Sequence, residues 1–392
     1  MNPVICSTAR TPIGKFNGAF TSLSATDLAT VAMKGAIDRA RLSPGRLAEV
    51  IFGNVIQAGT GQASARRAAA DAGVPMTVPA TVLNKVCLSS LTAVQDAARR
   101  IRLGEASFVL AGGMESMTNA PHLLPGARHG FRLGDTSLVD SLNQDGLMCA
   151  FEHCIMGQTT DRKNTTLGVT RKEQDEWAVM SHERATAATE NGALAAEVVP
   201  VTVLQRRGDP LAVTKDEGIR PGTTMETLGE LRPAFEADGT VTAGNASQIS
   251  DGAAAVIVAD RTAAEEAGLP MVAEILGYGQ TAGPDATLHE RPAEAIDKAL
   301  AAAGMRRSQL DLIEINEAFA AVALWSTKML EVSKDRVNVH GGAVALGHPL
   351  GASGARILIT LIGALQARGG GIGVASLCGG GGQGDALIVK VA

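Results

Sequence analysis

Strand-length apolar runs alternate with segments of helical period along most of the chain, and that alternation admits few folds. Glu49–Gln57 reads as a strand, Gln62–Ala72 as a helix and Thr81–Val86 as a strand. Leu91, Val94, Ala98 and Ile101 follow at helical spacing, Gly104 stands where that helix should stop, and Ala106–Gly113 returns to strand. Such an order predicts an α/β fold with largely parallel sheets. The theme returns near the end. Leu312–Ile315 reads as a strand, Ala318–Leu330 as a helix and Arg336–Val339 as a strand. Leu358, Ile359, Ile362 and Leu365 have helical spacing, and Ile372–Leu377 and Ala386–Val391 read as closing strands.

The last of these segments, QGDALIVKVA, resembles SDGAAAVIVA at Ser250–Ala259, which predicts two similar α/β halves. The pattern breaks from Asn119 to about Asn245. The one clear helix there, from about Arg171 to Asn191, opens on Thr170 and Glu173 at capping-box spacing and has Gly192 at its end. If the halves are duplicates, this stretch is an insertion between two neighbouring strands of the first half. The expected division is residues 1–118 with 246–270 as the N-terminal half, 119–245 as the inserted domain and 271–392 as the C-terminal half.

A formal net charge of −5 with no basic run gives no pull toward nucleic acid or anionic lipid. No apolar stretch approaches the ~18 residues of a membrane span. Met1–Thr8 lacks the features of a signal peptide, and the five cysteines are an odd, scattered set. A soluble cytoplasmic protein in a reducing compartment is expected.

Four segments carry candidate chemistry. In NKVCLSSLTAV, Cys87 stands where a strand gives way to a helix, and a helix start favours the thiolate; a buried structural cysteine is the alternative. In NVHGGAVALGHPLGASGAR, His348 is held in Gly-His-Pro between a strand and a helix. SLCGGGGQG contains the GxGxxG spacing at Gly379, Gly381 and Gly384, but a phosphate loop must open a helix, and only strand-like sequence follows. Its glycines instead let backbone N–H groups close on a small ligand beside Cys378, as an oxyanion requires. In EINEAFAAV, Asn316 and Glu317 follow a buried-looking strand, although a helix cap would read the same way. Cys149, His153 and Cys154 lack the second ligand pair of a zinc site, so no metal is expected.

These segments, with STARTPIG at Ser7–Gly14, GGMESM at Gly112–Met117 and GNAS at Gly244–Ser247, resemble the thiolase family in order and spacing over essentially the whole chain. The resemblance implies two similar halves in a five-layered α-β-α-β-α core, an inserted CoA-binding loop domain and a homotetramer (a dimer of dimers) or dimer. It implies reversible Claisen condensation of two acetyl-CoA to acetoacetyl-CoA and coenzyme A, with CoA as substrate and product and no cofactor. Cys87 would carry the acyl group and His348 would take its proton. The N–H groups of Cys87 and Gly380 would hold the thioester oxygen. Cys378 would deprotonate the second acetyl-CoA, with Asn316, through a water, and His348 stabilising the enolate. Contacts to CoA would come from Arg220, Ser247, Thr227, Phe235, Ala243, Leu147, Met156, Ala318 and Phe319.

The chain departs from the family pattern in places. Ser90 stands where glycine is more usual, three residues after Cys87. If that position takes a positive φ, serine costs about 1–2 kcal/mol. Ile155 and Leu288 replace residues common in short-chain members, and both lie near the acyl and pantetheine path. A thiolase acting on longer 3-ketoacyl-CoA is therefore the alternative. Ketoacyl synthases of the wider superfamily use histidine or asparagine where this chain has Cys378, and a non-catalytic acyl-CoA-binding relative would have no need of Cys87, Asn316, His348 and Cys378 together.

Overall fold

The structure is a computed structural model that describes residues 1–392. The principal strands of its central sheet are β1 (Pro3–Arg10), β2 (Glu49–Gly53), β3 (Ala80–Leu83), β4 (Phe108–Ser116), β5 (Ser250–Asp260), β6 (Ala273–Ala282), β7 (Leu312–Ile315), β8 (Gly371–Gly379) and β9 (Gln383–Val391). Its principal helices are α1 (Ala25–Ala40), α2 (Ser64–Asp71), α3 (Ser89–Arg102), α4 (Met156–Leu167), α5 (Arg171–Glu190), α6 (Arg291–Ala303), α7 (Ala320–Leu330) and α8 (Ser353–Ala367). The strands run in the order β7-β8-β9-β6-β1-β5-β4-β2-β3. Two half-sheets meet where Val4 and Ile5 of β1 oppose Glu274 and Ala273 of β6.

The halves repeat one another strand for strand. In the first, β2 is parallel to β4, which is antiparallel to β5, itself antiparallel to β1. In the second, β7 is parallel to β8, which is antiparallel to β9, itself antiparallel to β6. The sheet is therefore mixed rather than largely parallel. Parallel pairs occur where a helix carries the chain across; β8 and β9 are joined by a tight glycine turn, and only antiparallel strands can be joined that way.

The expected strand at Arg336–Val339 is also corrected. Only Val337 bridges Ile313, in parallel, matching the β3–β2 pairing of the first half. Asn338 then takes φ 49°, and its side chain supplies what a further strand residue would. It accepts from the Ile315 N–H and donates to the Ile315 carbonyl, both at 2.8 Å.

Burial on both faces gives the layers. Ala254, Val256 and Val258 of β5 join one apolar cluster while Ala255, Ile257 and Ala259 join another, the two-residue period of a strand covered on both sides. The second cluster holds α1 and α2 on the outside of the first half. The first is central and gathers α3, α8 and strands of both halves. A third packs α6 and α7 on the outer face of the second half. The sequence of layers is α-β-α-β-α.

Residues 117–249 lie between β4 and β5, which are direct neighbours. Within this stretch α5 begins with the capping box of Thr170 and Glu173 and packs against α7.

Candidate active site

The two helices of the central layer start beside one another, and the turns that lead into them carry Cys87 and His348. Val86 takes φ 51°, an unusual conformation for a β-branched residue, and so swings Cys87 into the space beneath β8. Lys85, two residues before Cys87, pairs with Asp385 of β9 at 2.7 Å, while the Lys85 N–H donates to Ser89 Oγ at 2.9 Å. Ser90 lies inside α3 without a positive φ, so the strain expected there does not arise. Its hydroxyl instead accepts from the Ala355 N–H of α8 at 2.9 Å.

His348 is 4% exposed. Its loop depends on Gly347, at φ 109°, where an added Cβ would stand 2.2 Å from Ser250 Oγ. The Ser353 hydroxyl donates to the Pro349 carbonyl at 2.9 Å and lies 2.6 Å from His348 Nδ1. With the hydroxyl proton on the Pro349 carbonyl, Nδ1–H donates to Ser353 and Nε2 carries the lone pair. The Asn316 side-chain amide stands 3.4 Å from that Nε2. Glu317 fastens the same loop. It accepts from Trp177, Ser181, Asn338 and the Val344 N–H at 2.7–3.1 Å.

Burial decides the protonation states. It pushes the Cys87 thiol up to about 12, against the pull of the N–H groups of Gly380 and of Cys87 itself, which hydrogen-bond the sulfur. The lowering expected from the helix start is therefore overturned: desolvation of a buried thiolate outweighs the amides. Burial, followed by the charge of Cys87, raises Cys378 further. Burial, with a contribution from Arg356, drives His348 down to about 3. The resting centre holds two neutral thiols and a neutral imidazole, an arrangement suited to a concerted proton transfer from sulfur to Nε2.

Cys87, His348, Cys378 and Gly380 line one small chamber of about 50 Å³, closed by Leu147, Met156, Leu288, Ala318, Phe319 and Leu350. Leu147, Met156, Ser247, Ala318 and Phe319 also line a wider cavity of about 440 Å³, so the chamber is its inner end. Arg220, Phe235, Ala243 and Ile155 line the wider cavity too. Phe235 meets Phe319 edge-on at 6.2 Å, and Gly157 is needed because an added Cβ would come within 2.4 Å of the Phe235 ring. Thr227 is not among the lining residues. It lies exposed on the short helix Met225–Gly229, with its hydroxyl donating to the Thr224 carbonyl at 3.0 Å. Sequence reasoning missed Ser353, Leu350 and Lys15. Ser353 stands five residues after His348, and Lys15 follows STARTPIG directly, adding a second cation to the cavity beside Arg220. No group of three His, Cys, Asp or Glu side chains converges to hold a metal.

Comparison with known proteins places this geometry. The family described as thiolase, N-terminal domain, matches residues 3–262, and that described as thiolase, C-terminal domain, matches residues 269–391. A probable acetyl-CoA acetyltransferase of Mycolicibacterium smegmatis is 52% identical over 99% of this chain and 100% of its own length. The acetyl-CoA acetyltransferase of Escherichia coli K12 is 48% identical over 99% of both chains. The crystal structure of the Bacillus anthracis acetyl-CoA acetyltransferase superposes with a TM-score of 0.97 at 39% identity, covering 100% of this chain and 99% of that one.

Proposed function

The chain belongs to the thiolase family, and on that premise we propose that it is an acetyl-CoA C-acetyltransferase, condensing two acetyl-CoA to acetoacetyl-CoA and CoA and running the reverse thiolysis. The observation that carries the reading is the 50 Å³ chamber in which two cysteines, one histidine and the Gly380 amide face one another.

In the first half-reaction His348 Nε2 takes the Cys87 proton as the sulfur attacks the acetyl carbonyl carbon. The N–H groups of Cys87 and Gly380, already directed at the sulfur, receive the oxyanion. The C–S bond to CoA then breaks, and the leaving thiolate collects the Cys378 thiol proton, so that Cys378 is left as the thiolate and His348 keeps the proton it took from Cys87. In the second half-reaction the Cys378 thiolate removes a methyl proton from a new acetyl-CoA, whose enolate oxygen is held by the protonated His348 and by Asn316. The enolate carbon attacks the acetyl-cysteine, releasing acetoacetyl-CoA and the Cys87 thiolate, which takes its proton back from His348. A carbon acid is far weaker than a thiol, so the second step depends on the enolate donors, each of which can contribute about 3–4 kcal/mol.

The apolar wider cavity suits the pantetheine arm of CoA, and Arg220 and Lys15 suit the phosphates of CoA. Residues 119–245 serve in this reading as the CoA-binding loop domain. CoA enters as substrate and product, with no resident cofactor. A homotetramer, as a dimer of dimers, is part of the same proposal and is supported by the exposed Leu124, Phe131, Leu133 and Leu138 of that insertion. A reducing, cytoplasmic setting is supported by five unpaired cysteines.

The test is a chain-length series in the thiolysis direction. A rate on four-carbon substrate well above that on eight-carbon substrate is expected, because leucine and methionine side chains close the chamber. An equal or faster eight-carbon rate would assign the chain to longer 3-ketoacyl substrates instead.

A further inference from the structure

A π-helical turn at Leu142–Leu147 leads into a hairpin of two short strands, Met148–Cys149 and Cys154–Ile155. The register sets Cys149 directly against Cys154. Directly opposed residues of an antiparallel pair share a face, with Cβ atoms about 4.5–5.5 Å apart. A disulfide needs about 3.5–4.5 Å, so a small closure of the strands suffices. Both thiols are free. Cys149 is buried, whereas Cys154 is partly exposed and lies 3.7 Å from the Arg162 guanidinium, which also pairs with Glu236 at 2.9 Å.

The hairpin touches the reacting centre on two sides. Leu147 and Met156, immediately before and after it, line both the inner chamber and the wider cavity. At its tip Phe151 lies against the glycine turn, 3.0 Å from where a Cβ on Gly381 would stand. The tip is set by His153, at φ 51°, whose N–H donates to the Cys149 carbonyl at 2.9 Å.

We propose that Cys149 and Cys154 are a redox modification site, closing to a reversible disulfide that shifts Leu147 and Met156 and so changes the cavity. The oxidant is a low-molecular-weight disulfide. The accessible Cys154 loses its proton and attacks one sulfur of that disulfide, breaking its S–S bond and releasing one thiol. Cys149 then loses its proton and attacks the Cys154 sulfur of the mixed disulfide, releasing the second thiol. Two protein thiols are oxidised and one small disulfide is reduced to two thiols. Arg162 places positive charge beside the sulfur from which the exchange starts.

The test equilibrates the full chain with mixtures of glutathione and glutathione disulfide, alkylates the remaining thiols and maps unreduced peptides by mass. The Cys149–Cys154 peptide should exceed half of the total at a poise where Cys87 and Cys378 are still mostly alkylated. Cys149→Ser should trap Cys154 as the glutathione adduct, and Cys154→Ser should leave Cys149 without one. At that poise the linked enzyme's KM for CoA should change by about twofold or more, since small displacements at a reacting site are costly, and Cys149→Ser should show no such change. Protein in which Cys149 and Cys154 stay alkylated until Cys87 and Cys378 are linked would overturn the proposal, as would a linked enzyme with an unchanged KM. Only the KM readout rests on the acyl-transfer reading, so peptide mapping separates failure of one from failure of the other.

Discussion

Lys85 Nζ and Asp385 Oδ1 meet at 2.7 Å, tying the turn that presents Cys87 to the strand that runs opposite Cys378. Asp385 is fully buried and also accepts from Thr92 at 2.6 Å and Gln280 at 3.4 Å. The cluster fixes the distance between the two cysteine-bearing segments, which come from different halves of the molecule.

Lys85→Met removes the counter-charge and leaves a buried carboxylate with neutral partners. Losing one member of such a pair costs about 3–5 kcal/mol when both are buried; Lys85 is 22% exposed, so a loss of about 2–3 kcal/mol is expected. Urea unfolding would measure it, and a midpoint equal to wild type would show the pair to be dispensable.

Ser353→Ala removes the acceptor that holds the proton on His348 Nδ1. The rate of Cys87 acetylation should fall about 10- to 100-fold, a part of the ~10²–10⁴ that a general base supplies. The KM for acetyl-CoA should stay near wild type, because Ser353 lines neither cavity. Single-turnover acetylation followed by intact mass separates the two quantities.

Cys87→Ala and Cys378→Ala should divide the reaction at its midpoint. After incubation with acetyl-CoA, Cys378→Ala should carry one acetyl group and make no acetoacetyl-CoA. Cys87→Ala should carry none. An acetyl adduct that persists in Cys87→Ala would exclude Cys87 as the carrier.

Acid should destabilise the fold through its buried histidines. Burial lowers His348 to about 3 and His182 and His289 to about 4. For a lowered pKa the unfolded chain binds the proton first, so the stabilisation is complete above about 6.5 and is lost as pH falls through the folded value. Glu115, raised to about 7 by burial, has the opposite sign: its contribution is present at low pH and lost as pH rises through 7. His289→Gln, which can still donate to Asn164, should flatten the decline between pH 6.5 and 4 by on the order of 3 kcal/mol. Denaturant midpoints across that range provide the check.

Ser90→Gly, a change toward the residue expected at this position, should destabilise. It deletes the acceptor of the buried Ala355 N–H, costing about 1–3 kcal/mol. It also places glycine in a helix, at about 1 kcal/mol. Ser90→Ala isolates the first contribution. A glycine variant as stable as wild type would refute the role given to the hydroxyl.

Much of this architecture is legible in the amino-acid order. The strand Leu312–Ile315 and the helix beginning at Arg171 fall where periodicity and capping residues put them. The likeness between QGDALIVKVA and SDGAAAVIVA reflects β9 and β5, which hold equivalent places in the two halves. Strand direction was not legible, because alternating patterns look the same whether a helix or a hairpin makes the next connection. Nor could pattern show that the Asn338 side chain replaces a stretch of strand. Cys87 and His348 stand out through the glycines, proline and helix start around them. Ser353, Lys15 and Leu350 do not, because tertiary placement alone brings them to the site. The direction of the Cys87 shift was misread for a related reason: sequence shows the start of a helix but not the depth at which the thiol lies.

The internal duplication has a consequence during synthesis. The turn bearing Cys87 is made before the imidazole that would unburden it of its proton and the amide that would receive the oxyanion, which lie more than 250 residues further along the chain. A nascent or half-folded polypeptide thus has an unassisted thiol and no pocket around it. On the proposed mechanism, acyl transfer to Cys87 therefore awaits the docking of the second half onto the first.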